Sequence, residues 1–292
     1  MKKIALISGI GGQDGAYLAK NLLEKDYKVI GISRRSSVNN LKRLEVLGIK
    51  GDLEIAYADL EESLAIQRLI KKFQPDEFYN LGAQSFVQDS FRNPVYTSQV
   101  NAIAVLQILE SLREFSLHTK FYQASTSEMF GKIRENPQTE DTPFHPRSPY
   151  GVAKLYAHFA TVNYRESYDM FACSGILFNH ESPLRGQEFV TKKIVKGMID
   201  YSEHGAVLEL GNLDAKRDWG FAGDYVEAMH LMLQQKTADD FVIATGITHS
   251  IRTFCELAAS HLNIDLMWTG EGMDEKGIDR KTLNPIIKVN PE

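Results

Sequence analysis

A glycine-rich segment near the start of the chain constrains the fold most strongly. Gly9, Gly12 and Gly15 recur at every third residue, directly after an apolar run over residues 3–8 and at the start of a helical pattern over 16–25. In a strand–turn–helix unit, the first glycine permits a tight turn and the second lets a pyrophosphate approach the backbone. The third allows the helix to pack closely on the strand. The segment therefore predicts a βαβ unit that binds a dinucleotide.

The same alternation of short apolar runs and longer amphipathic runs continues to about residue 180. Strands are predicted at 3–8, 27–32, 55–58, 77–81, 120–124 and 170–178, and helices at 16–25, 63–72, 96–114 and 149–168. Buried strands that alternate with helices are typical of a doubly wound parallel sheet, whose ligands bind at the carboxyl ends of the strands. We therefore predict an α/β protein with a Rossmann-type domain over residues 1–180.

The alternation weakens after residue 180. Helices are predicted at 189–201, 222–234 and 251–262, with strands at 207–210, 241–245 and 266–268. We expect elements around 212–246 to return to the first sheet. The rest of 181–292 is expected to form a smaller, discontinuous substrate-binding lobe. The tail from residue 270 is rich in Gly, Asp, Lys and Pro, and we predict that it is poorly ordered or depends on a partner.

The end of the second predicted strand indicates which dinucleotide binds. NAD usually meets an acidic residue there, whereas this chain has Arg34, Arg35 and Ser36. Guanidinium and hydroxyl donors suit a 2′-phosphate, so NADP is favoured, and a solvated basic loop is the alternative. The other predicted cofactor ligands lie in the glycine segment or follow strand ends: Gln13, Asp14, Asp59, Leu60, Leu81, Ala83, Ser85 and His180.

Tyr150 and Lys154 are four residues apart in a predicted helix and so share one face. A cationic lysine lowers the pKa of the phenol, so Tyr150 can transfer a proton near neutral pH, while Lys154 can also bond the nicotinamide ribose. The Thr126 hydroxyl can bridge the phenol and a sugar hydroxyl. Glu128 adds a second proton-transfer group, which favours elimination over simple oxidation or epimerisation.

Polar residues near the strand ends and in the second half predict a sugar-nucleotide site. Arg185, Lys193 and Arg217 can together clamp a diphosphate, although each alone could be a surface charge. His180 alone could be a structural histidine. The predicted substrate-binding residues are Ser85, Ser125, Asn179, Glu181, Arg185, Val190, Lys193 and Arg217.

Composition excludes several other classes. The net charge is −5 with no basic cluster, which argues against a nucleic-acid partner. No apolar run approaches the ~18 residues of a membrane span, and the first apolar run ends at Gly9 without a cleavage site. Cys173 and Cys255 lie in apolar stretches, as expected for core residues in a reducing cytoplasm. The histidines are scattered, so no metal site is predicted.

With these motifs, the chain resembles the GDP-mannose 4,6-dehydratases, a family of extended short-chain dehydrogenases/reductases. The resemblance runs from about residue 3 to 268. It is carried by the segments at 12–15, 34–37, 121–128, 147–150, 178–183, 211–220 and 224–229.

The resemblance implies an NADP-dependent loss of water from a GDP-sugar. Tyr150, as phenolate, would take the proton of the mannose 4-hydroxyl while the C4 hydride passes to NADP⁺. Glu128 would then remove the C5 proton and help to expel the C6 hydroxyl, and the hydride would return to C6. It also implies a homotetramer or dimer in which the 34–37 loop reaches a neighbour's cofactor.

Several positions depart from the family pattern. Gly11 stands where the family usually has Thr, Leu184 and Lys192 stand where Arg is common, and 86–89 differs from the commoner run. The given sequence also ends before an expected Arg-Pro-x-Glu segment. These departures leave the sugar open, and the same chemistry on GDP-manno-heptose is the nearest alternative. A GDP-sugar reductase or epimerase would leave Glu128 without a task, and a non-catalytic nucleotide sensor would be expected to lose Tyr150 or Lys154.

Overall fold

The computed structural model describes residues 2–290. The strands are β1 (Ile4–Ser8), β2 (Lys28–Ser33), β3 (Glu54–Tyr57), β4 (Glu77–Asn80), β5 (Lys120–Thr126), β6 (Ala172–Leu177), β7 (Asn179–Glu181), β8 (Leu208–Leu210), β9 (Lys216–Phe221), β10 (Asp240–Ile243), β11 (Thr248–Ser250), β12 (Leu266–Thr269), β13 (Lys276–Asp279) and β14 (Pro285–Val289). The helices are α1 (Gln13–Glu24), α2 (Lys42–Val46), α3 (Ser63–Phe73), α4 (Val87–Arg92), α5 (Pro94–Ser98), α6 (Ala104–Phe115), α7 (Pro149–Tyr168), α8 (Val190–His204), α9 (Ala222–Leu233) and α10 (Ile251–His261).

A seven-stranded parallel sheet has the order β10-β6-β5-β4-β1-β2-β3. The chain moves outward from β1 through β2 and β3, then crosses to β4 and moves the other way. The strand order therefore reverses between β1 and β4, which is where α/β sheets of this kind bind ligands. The predicted Rossmann-type α/β fold is confirmed.

The core explains why these strands are central. One buried cluster joins the sheet, through Leu6, Ile30, Phe78 and Phe121, to apolar residues of α3, α6 and α7. Side chains of consecutive strand residues point to opposite faces, so strands covered on both faces must be apolar almost throughout. This accounts for the continuous apolar runs in the sequence.

Two helical or strand boundaries near the site differ from the predicted ones. The predicted helix at 96–114 is instead α5 and α6 joined by a π-helical turn, Gln99–Ile103. Strand β5 extends to Thr126, two residues beyond its predicted end, so Ser125 and Thr126 lie in the strand and not after it. The short elements α2, α4, β7, β9 and β11 were not predicted, since a run of three to six residues gives little periodic signal.

The prediction of a poorly ordered tail is wrong for the described residues. β13 pairs with β12, and β14 pairs with both β13 and β8. Ile286 and Ile287 are fully buried in a core cluster, so apolar burial fixes a segment whose local composition suggested disorder. Residues 291 and 292 of that predicted tail lie outside the described residues.

The described chain divides into two compact units. The first consists of residues up to His180 together with Gly220–Ala244, and it holds the seven-stranded sheet. The second consists of Glu181–Trp219 and the residues from Thr245 onward, with a core formed around α8, α10 and the sheet β12-β13-β14-β8. Between residues 2 and 290, no helix has the length and apolar character that crossing a membrane requires.

Candidate active site

The glycine segment forms a tight turn between β1 and α1. Gly9 has φ +71°, and a Cβ there would lie 2.7 Å from the backbone N of Gly82. The Gly12 N–H donates to the Gly9 carbonyl at 2.9 Å. Gly15 lies in the first turn of α1, where a Cβ would come within 2.4 Å of the same carbonyl. The turn therefore presents the N-terminus of α1 at the end of β1, an arrangement that favours anionic groups.

A cavity of about 350 Å³ opens at the carboxyl ends of β1 to β4, within the first unit. Six predicted cofactor residues line it: Gly9, Gly12, Arg34, Asp59, Leu60 and Ala83. Arg34 donates to the Tyr96 hydroxyl at 3.4 Å, and Arg43 donates to the Gly11 carbonyl at 2.9 Å. Because both guanidinium-bearing residues line the cavity, it suits a ligand with phosphate groups.

Sequence reasoning missed several residues of this cavity, among them Asn40, Arg43, Tyr96 and Val100. Arg43 could have been identified as a further cation after the Arg34–Arg35 pair. Tyr96 gave no signal, because the other residues that line the cavity with it are mostly distant in the sequence.

Among the predicted cofactor residues that do not line the cavity are Arg35, Ser36, Leu81 and Ser85. The Arg35 guanidinium lies 5.3 Å from the centre of the Tyr57 ring. Ser36 accepts a hydrogen bond from the Val38 N–H at 3.2 Å. Leu81 is half-buried at the end of β4, and Ser85 is exposed before α4.

Gln13, Asp14 and His180 form a separate polar cluster at the start of α1. Gln13 Nε2 donates to an Asp14 carboxylate oxygen and to the His180 carbonyl, each at 3.1 Å. The His180 ring has Asp14 Oδ2 at 2.8 Å from Nε2 and the Phe178 carbonyl at 2.8 Å from Nδ1. Both partners are acceptors when Asp14 is ionised, so the arrangement suits a doubly protonated ring. That ring stacks on Tyr225, with the centroids 4.4 Å apart.

The predicted helix at 149–168 has the same bounds as α7, which places Tyr150 in its first turn and Lys154 one turn later. The Lys154 side chain is buried, donates to the Ala124 carbonyl at 2.8 Å and lies 5.9 Å from the centre of the Tyr150 ring. Burial lowers the pKa of Lys154 to about 8, and the Asp14 carboxylate opposes this shift. The ammonium and the N-terminal end of the helix dipole both favour a phenolate at Tyr150.

Thr126 and Glu128 lie beside the start of α7. The Thr126 hydroxyl accepts from the Glu128 N–H at 3.2 Å and caps the 3₁₀ turn Ser127–Met129. A Cβ on Gly151 would be 2.9 Å from the Glu128 carbonyl, so a glycine next to Tyr150 lets the turn approach the helix. The fold thus brings together Thr126, Glu128, Tyr150 and Lys154, which include two groups able to transfer protons.

Ser125 and Asn179 are the predicted substrate residues of the first unit besides Ser85. The Ser125 side chain is buried, with its hydroxyl 3.3 Å from Nδ1 of His158 on α7. The Ser125 hydroxyl therefore faces α7. Asn179 is half-buried in β7.

The predicted substrate residues of the second unit fall into a paired group and an exposed group. The Glu181 carboxylate accepts from the Thr191 hydroxyl at 2.5 Å and lies 3.2 Å from Arg185 Nε. The Arg185 guanidinium also stacks 3.5 Å from the centre of the Phe189 ring. Val190 is half-buried at the start of α8, whereas Lys193 and Arg217 are exposed. Within the described residues, no cluster of His, Cys, Asp or Glu could hold a metal ion.

Gly11 gives a test of how closely the 34–41 loop packs on the glycine turn. A Cβ at Gly11 would lie 2.2 Å from the Asn40 carbonyl, so we expect Gly11→Thr to displace this loop. Because Arg34 and Arg43 lie on or beside the loop, the dissociation constant of a nicotinamide dinucleotide should rise about tenfold or more. Calorimetric titration of the protein with the nucleotide measures this dissociation constant. Gly51→Ala is the control, since nothing lies within 4 Å of a Cβ there. Unchanged affinity for the dinucleotide in Gly11→Thr would show that the loop adapts without cost.

The reversed strand order, the glycine turn and a tyrosine–lysine pair beside a glutamate define a Rossmann-fold enzyme of the short-chain dehydrogenase/reductase class. A family model described as GDP-mannose 4,6 dehydratase matches residues 6–292. The chain belongs to this family, which places it among the sugar-nucleotide dehydratases and confirms the resemblance inferred from its motifs.

Similar curated proteins span nearly the whole chain. The GDP-mannose 4,6-dehydratase of Vibrio cholerae serotype O1 is 52% identical over 299 residues, which cover 99% of this chain and 80% of that protein. The GDP-mannose 4,6 dehydratase of Homo sapiens is 50% identical over 298 residues, with coverages of 99% and 80%.

Solved structures of lower identity share the fold. The dTDP-glucose 4,6-dehydratase DesIV of Streptomyces venezuelae, solved with NAD and TYD bound, has a TM-score of 0.80 at 21% identity, covering 90% of this chain and 82% of that one. The UDP-glucose 4-epimerase of Thermotoga maritima, solved with UDP-glucose, has a TM-score of 0.80 at 23% identity, with coverages of 90% and 83%.

Proposed function

We propose that the protein converts GDP-mannose to GDP-4-keto-6-deoxy-mannose by an NADP-dependent 4,6-dehydration. The observation that carries this proposal is the approach of the Glu128 backbone to Gly151, next to Tyr150. A tyrosine–lysine pair alone supports redox chemistry at one hydroxyl. Elimination requires a second base, and we assign this role to the Glu128 carboxylate. Curated proteins about half identical to this chain are named for the same reaction.

The proposed roles follow from the chemistry of each side chain. Tyr150, as phenolate, takes the proton of the sugar 4-hydroxyl, and the Lys154 ammonium stabilises its charge. When bound, NADP would supply the reversible hydride store between C4 and C6 that this chemistry requires. Once C4 is a ketone, the C5 proton is acidic, and Glu128 removes it. The protonated Glu128 then gives this proton to the departing C6 hydroxyl, and one water leaves. Return of the hydride to C6 needs one proton at C5, which is balanced by the proton that Tyr150 took from the 4-hydroxyl, so the phenolate is restored and the cofactor ends unchanged.

The choice of NADP rests on the cations around the cavity. Arg34 and Arg43 border it, and no acidic residue ends β2 to repel a 2′-phosphate. We expect Arg34→Glu to weaken NADP binding at least about tenfold and NAD binding much less, because a charge-assisted contact to phosphate becomes a repulsion. Fluorescence titration with each nucleotide checks this. Lys42→Glu, the same charge change at an exposed residue outside the cavity, is the control. Equal losses for both nucleotides would argue against a 2′-phosphate contact.

The identity of the sugar is tested by mass spectrometry. Purified protein is incubated with GDP-mannose, and separately with GDP-manno-heptose, without added cofactor. The proposal predicts loss of one water from GDP-mannose with no net accumulation of NADPH, since the cofactor is recycled and retained. Faster loss from the heptose would select the alternative sugar. If no water is lost even after NADP is supplied, the dehydratase proposal fails.

We further propose that the protein is a dimer or tetramer in which a second copy covers an apolar face of α7. Val152, Tyr156 and Phe159 are spaced for one helix face and are all exposed, at 56%, 46% and 55%. A contiguous apolar patch of this kind marks an interface more often than a free surface. Light scattering should give a multiple of the 32.9 kDa chain mass, and Phe159→Glu should shift it toward one chain. A monomeric wild type would refute this assembly.

A reducing compartment, the cytoplasm, fits the two cysteines. Cys173 and Cys255 are both free and buried. Burial raises the pKa of the Cys173 thiol to about 11 and that of Cys255 to about 12. Thiols held protonated in this way react slowly with oxidants, as suits core residues.

A further inference from the structure

Three adjacent strands of the large sheet each carry one buried polar side chain at the same level. Ser8 of β1 pairs in register with Asn80 of β4, and Asn80 pairs with Gln123 of β5. Their exposed fractions are 0%, 1% and 0%. Polar groups so deeply buried are costly unless they are hydrogen-bonded, so their partners need to be accounted for.

The three side chains form one directional chain of hydrogen bonds. Ser8 Oγ donates to Asn80 Oδ1 at 2.7 Å, and Asn80 Nδ2 donates to Gln123 Oε1 at 2.9 Å. Gln123 Nε2 then donates to the carbonyl of Ala124 at 3.1 Å. Each member both accepts and donates, so the bonds reinforce one another and fix the orientation of each amide.

The two ends of this chain of hydrogen bonds contact residues of the candidate active site. At one end, the Gly82 N–H donates to Ser8 Oγ at 3.0 Å, and Gly82 is the residue against which Gly9 turns. At the other end, the Ala124 carbonyl that accepts from Gln123 also accepts from Lys154 Nζ at 2.8 Å. The chain of hydrogen bonds therefore runs from the glycine turn to the buried ammonium of Lys154.

The sheet explains why Ala124 needs this support. The pairing of β4 with β5 ends at Asn80 and Gln123. Strand β5 continues to Thr126, and its residues after Gln123 pair only with β6. Beyond Gln123, strand β4 does not hold β5. The Gln123 amide folds forward onto the next carbonyl and holds the peptide group at the point where Lys154 needs an acceptor.

We propose that Gln123 is a positioning residue for Lys154, held in turn by Asn80 and Ser8. This inference rests on the proposed function insofar as Lys154 serves catalysis. The charged and titratable groups that face Lys154 are Asp14 of α1 and Tyr150 of its own helix. Gln123 adds an uncharged contact to the Ala124 carbonyl, which fixes the distance of the Lys154 ammonium from β5. It thereby also fixes the distance between Lys154 and the glycine turn.

Only an amide satisfies both neighbours of Gln123. Gln123→Glu, when ionised, still accepts from Asn80 but cannot donate to the Ala124 carbonyl, and its charge attracts the Lys154 ammonium away from that carbonyl. Gln123→Leu removes both contacts and leaves Asn80 Nδ2 without its acceptor. The two variants should therefore move Lys154 in different ways.

The test combines kinetics with a direct titration of Lys154. We expect both Gln123 variants to lower kcat about 10- to 100-fold, with the KM for the sugar nucleotide unchanged within about twofold, because Gln123 is buried and misplacement of Lys154 affects the chemical step. NMR of protein labelled at the lysine Cε follows the Lys154 signal, assigned by its loss in Lys154→Met. Gln123→Glu should raise the titration midpoint of Lys154 by at least about one pH unit, and Gln123→Leu should not raise it.

Controls separate positioning from general disruption. Ser174→Ala changes another fully buried residue of the same sheet whose hydroxyl lacks a hydrogen-bond partner within the described residues, and it should alter neither kcat nor the Lys154 titration. If the Gln123 variants do not fold, Ser8→Ala is tested instead, because Ser8 is at the other end of the chain of hydrogen bonds. It should lower kcat about threefold at constant KM.

The inference is overturned if the Gln123 variants keep both the wild-type kcat and the wild-type titration midpoint of Lys154. If the Gln123 variants do not fold, an unchanged kcat in Ser8→Ala overturns it. If the wild type dehydrates no sugar, the proposed function fails, and the titration still decides whether Gln123 positions Lys154.

Discussion

Replacement of Lys154 by methionine is expected to abolish activity and yet stabilise the fold. In the proposed mechanism, loss of the ammonium removes the main electrostatic support of the Tyr150 phenolate, so kcat should fall about 10³-fold or more. At pH 7 the free energy of unfolding should rise by about 2 kcal/mol. The side chain is only 4% exposed, and the fold lowers its pKa from 10.5 to about 8, a cost of about 3 kcal/mol for the charged form. Loss of the bond to the Ala124 carbonyl takes back about 1 kcal/mol.

The pH dependence of this stability difference has a definite sign. Below pH 8, Lys154 is charged in both the folded and the unfolded state, and the full cost of burial is present. Between pH 8 and 10.5 the unfolded state binds more protons, so wild-type stability gains relative to the variant as the pH rises. Urea unfolding at pH 7 and at pH 10 measures the difference, with Lys42→Met as an exposed control. A Lys154→Met variant that is less stable than wild type at pH 7 would contradict this account of the buried ammonium.

Replacement of Glu128 by glutamine is expected to separate the two halves of the reaction. Tyr150 and Lys154 remain, so oxidation at C4 should continue, whereas loss of water should slow about 10²- to 10⁴-fold without its base. Reduced cofactor should then accumulate to about one equivalent per active site, because C6 no longer becomes able to take the hydride back. Stopped-flow absorbance of the reduced nicotinamide, together with mass spectrometry of the product, follows both events.

Glu166→Gln is the matched control for this variant, because Glu166 is an exposed glutamate on the same helix as Tyr150. It should retain the wild-type rates of both steps. Water loss at the wild-type rate in Glu128→Gln would assign the C5 proton to another base and leave the role of Glu128 structural.

The parts of the fold that the sequence predicted are those encoded locally. Glycines at three-residue spacing and buried strands alternating with helices were sufficient for the large sheet, and the helix predicted at 149–168 has the bounds of α7. β13 and β14 were missed because their stability comes from distant partners. β14 pairs in parallel with β8, more than seventy residues earlier in the chain. Local composition around them, rich in Gly, Asp and Lys, argued for disorder.

The candidate site follows the same division. Tyr150 and Lys154 are related by helical spacing, and Gly9, Gly12 and Gly15 by a turn, so sequence alone brought each group together. Other relations need the register of the folded sheet. Ser8, Asn80 and Gln123 are spread over more than a hundred residues, and only the pairing of β1, β4 and β5 aligns them. Arg43 and Tyr96 reach the cavity at the ends of β1 to β4 in the same non-local way.

The most direct test of the central claim follows one hydrogen atom. GDP-mannose carrying deuterium at C4 is incubated with the purified protein, and the product is examined by mass spectrometry and NMR. An internal dehydration with a retained cofactor predicts loss of one water and deuterium at C6 of the 4-keto-6-deoxy product, with the cofactor unchanged at the end. Product that has lost water but carries no deuterium at C6, or deuterium that stays at C4, would contradict it.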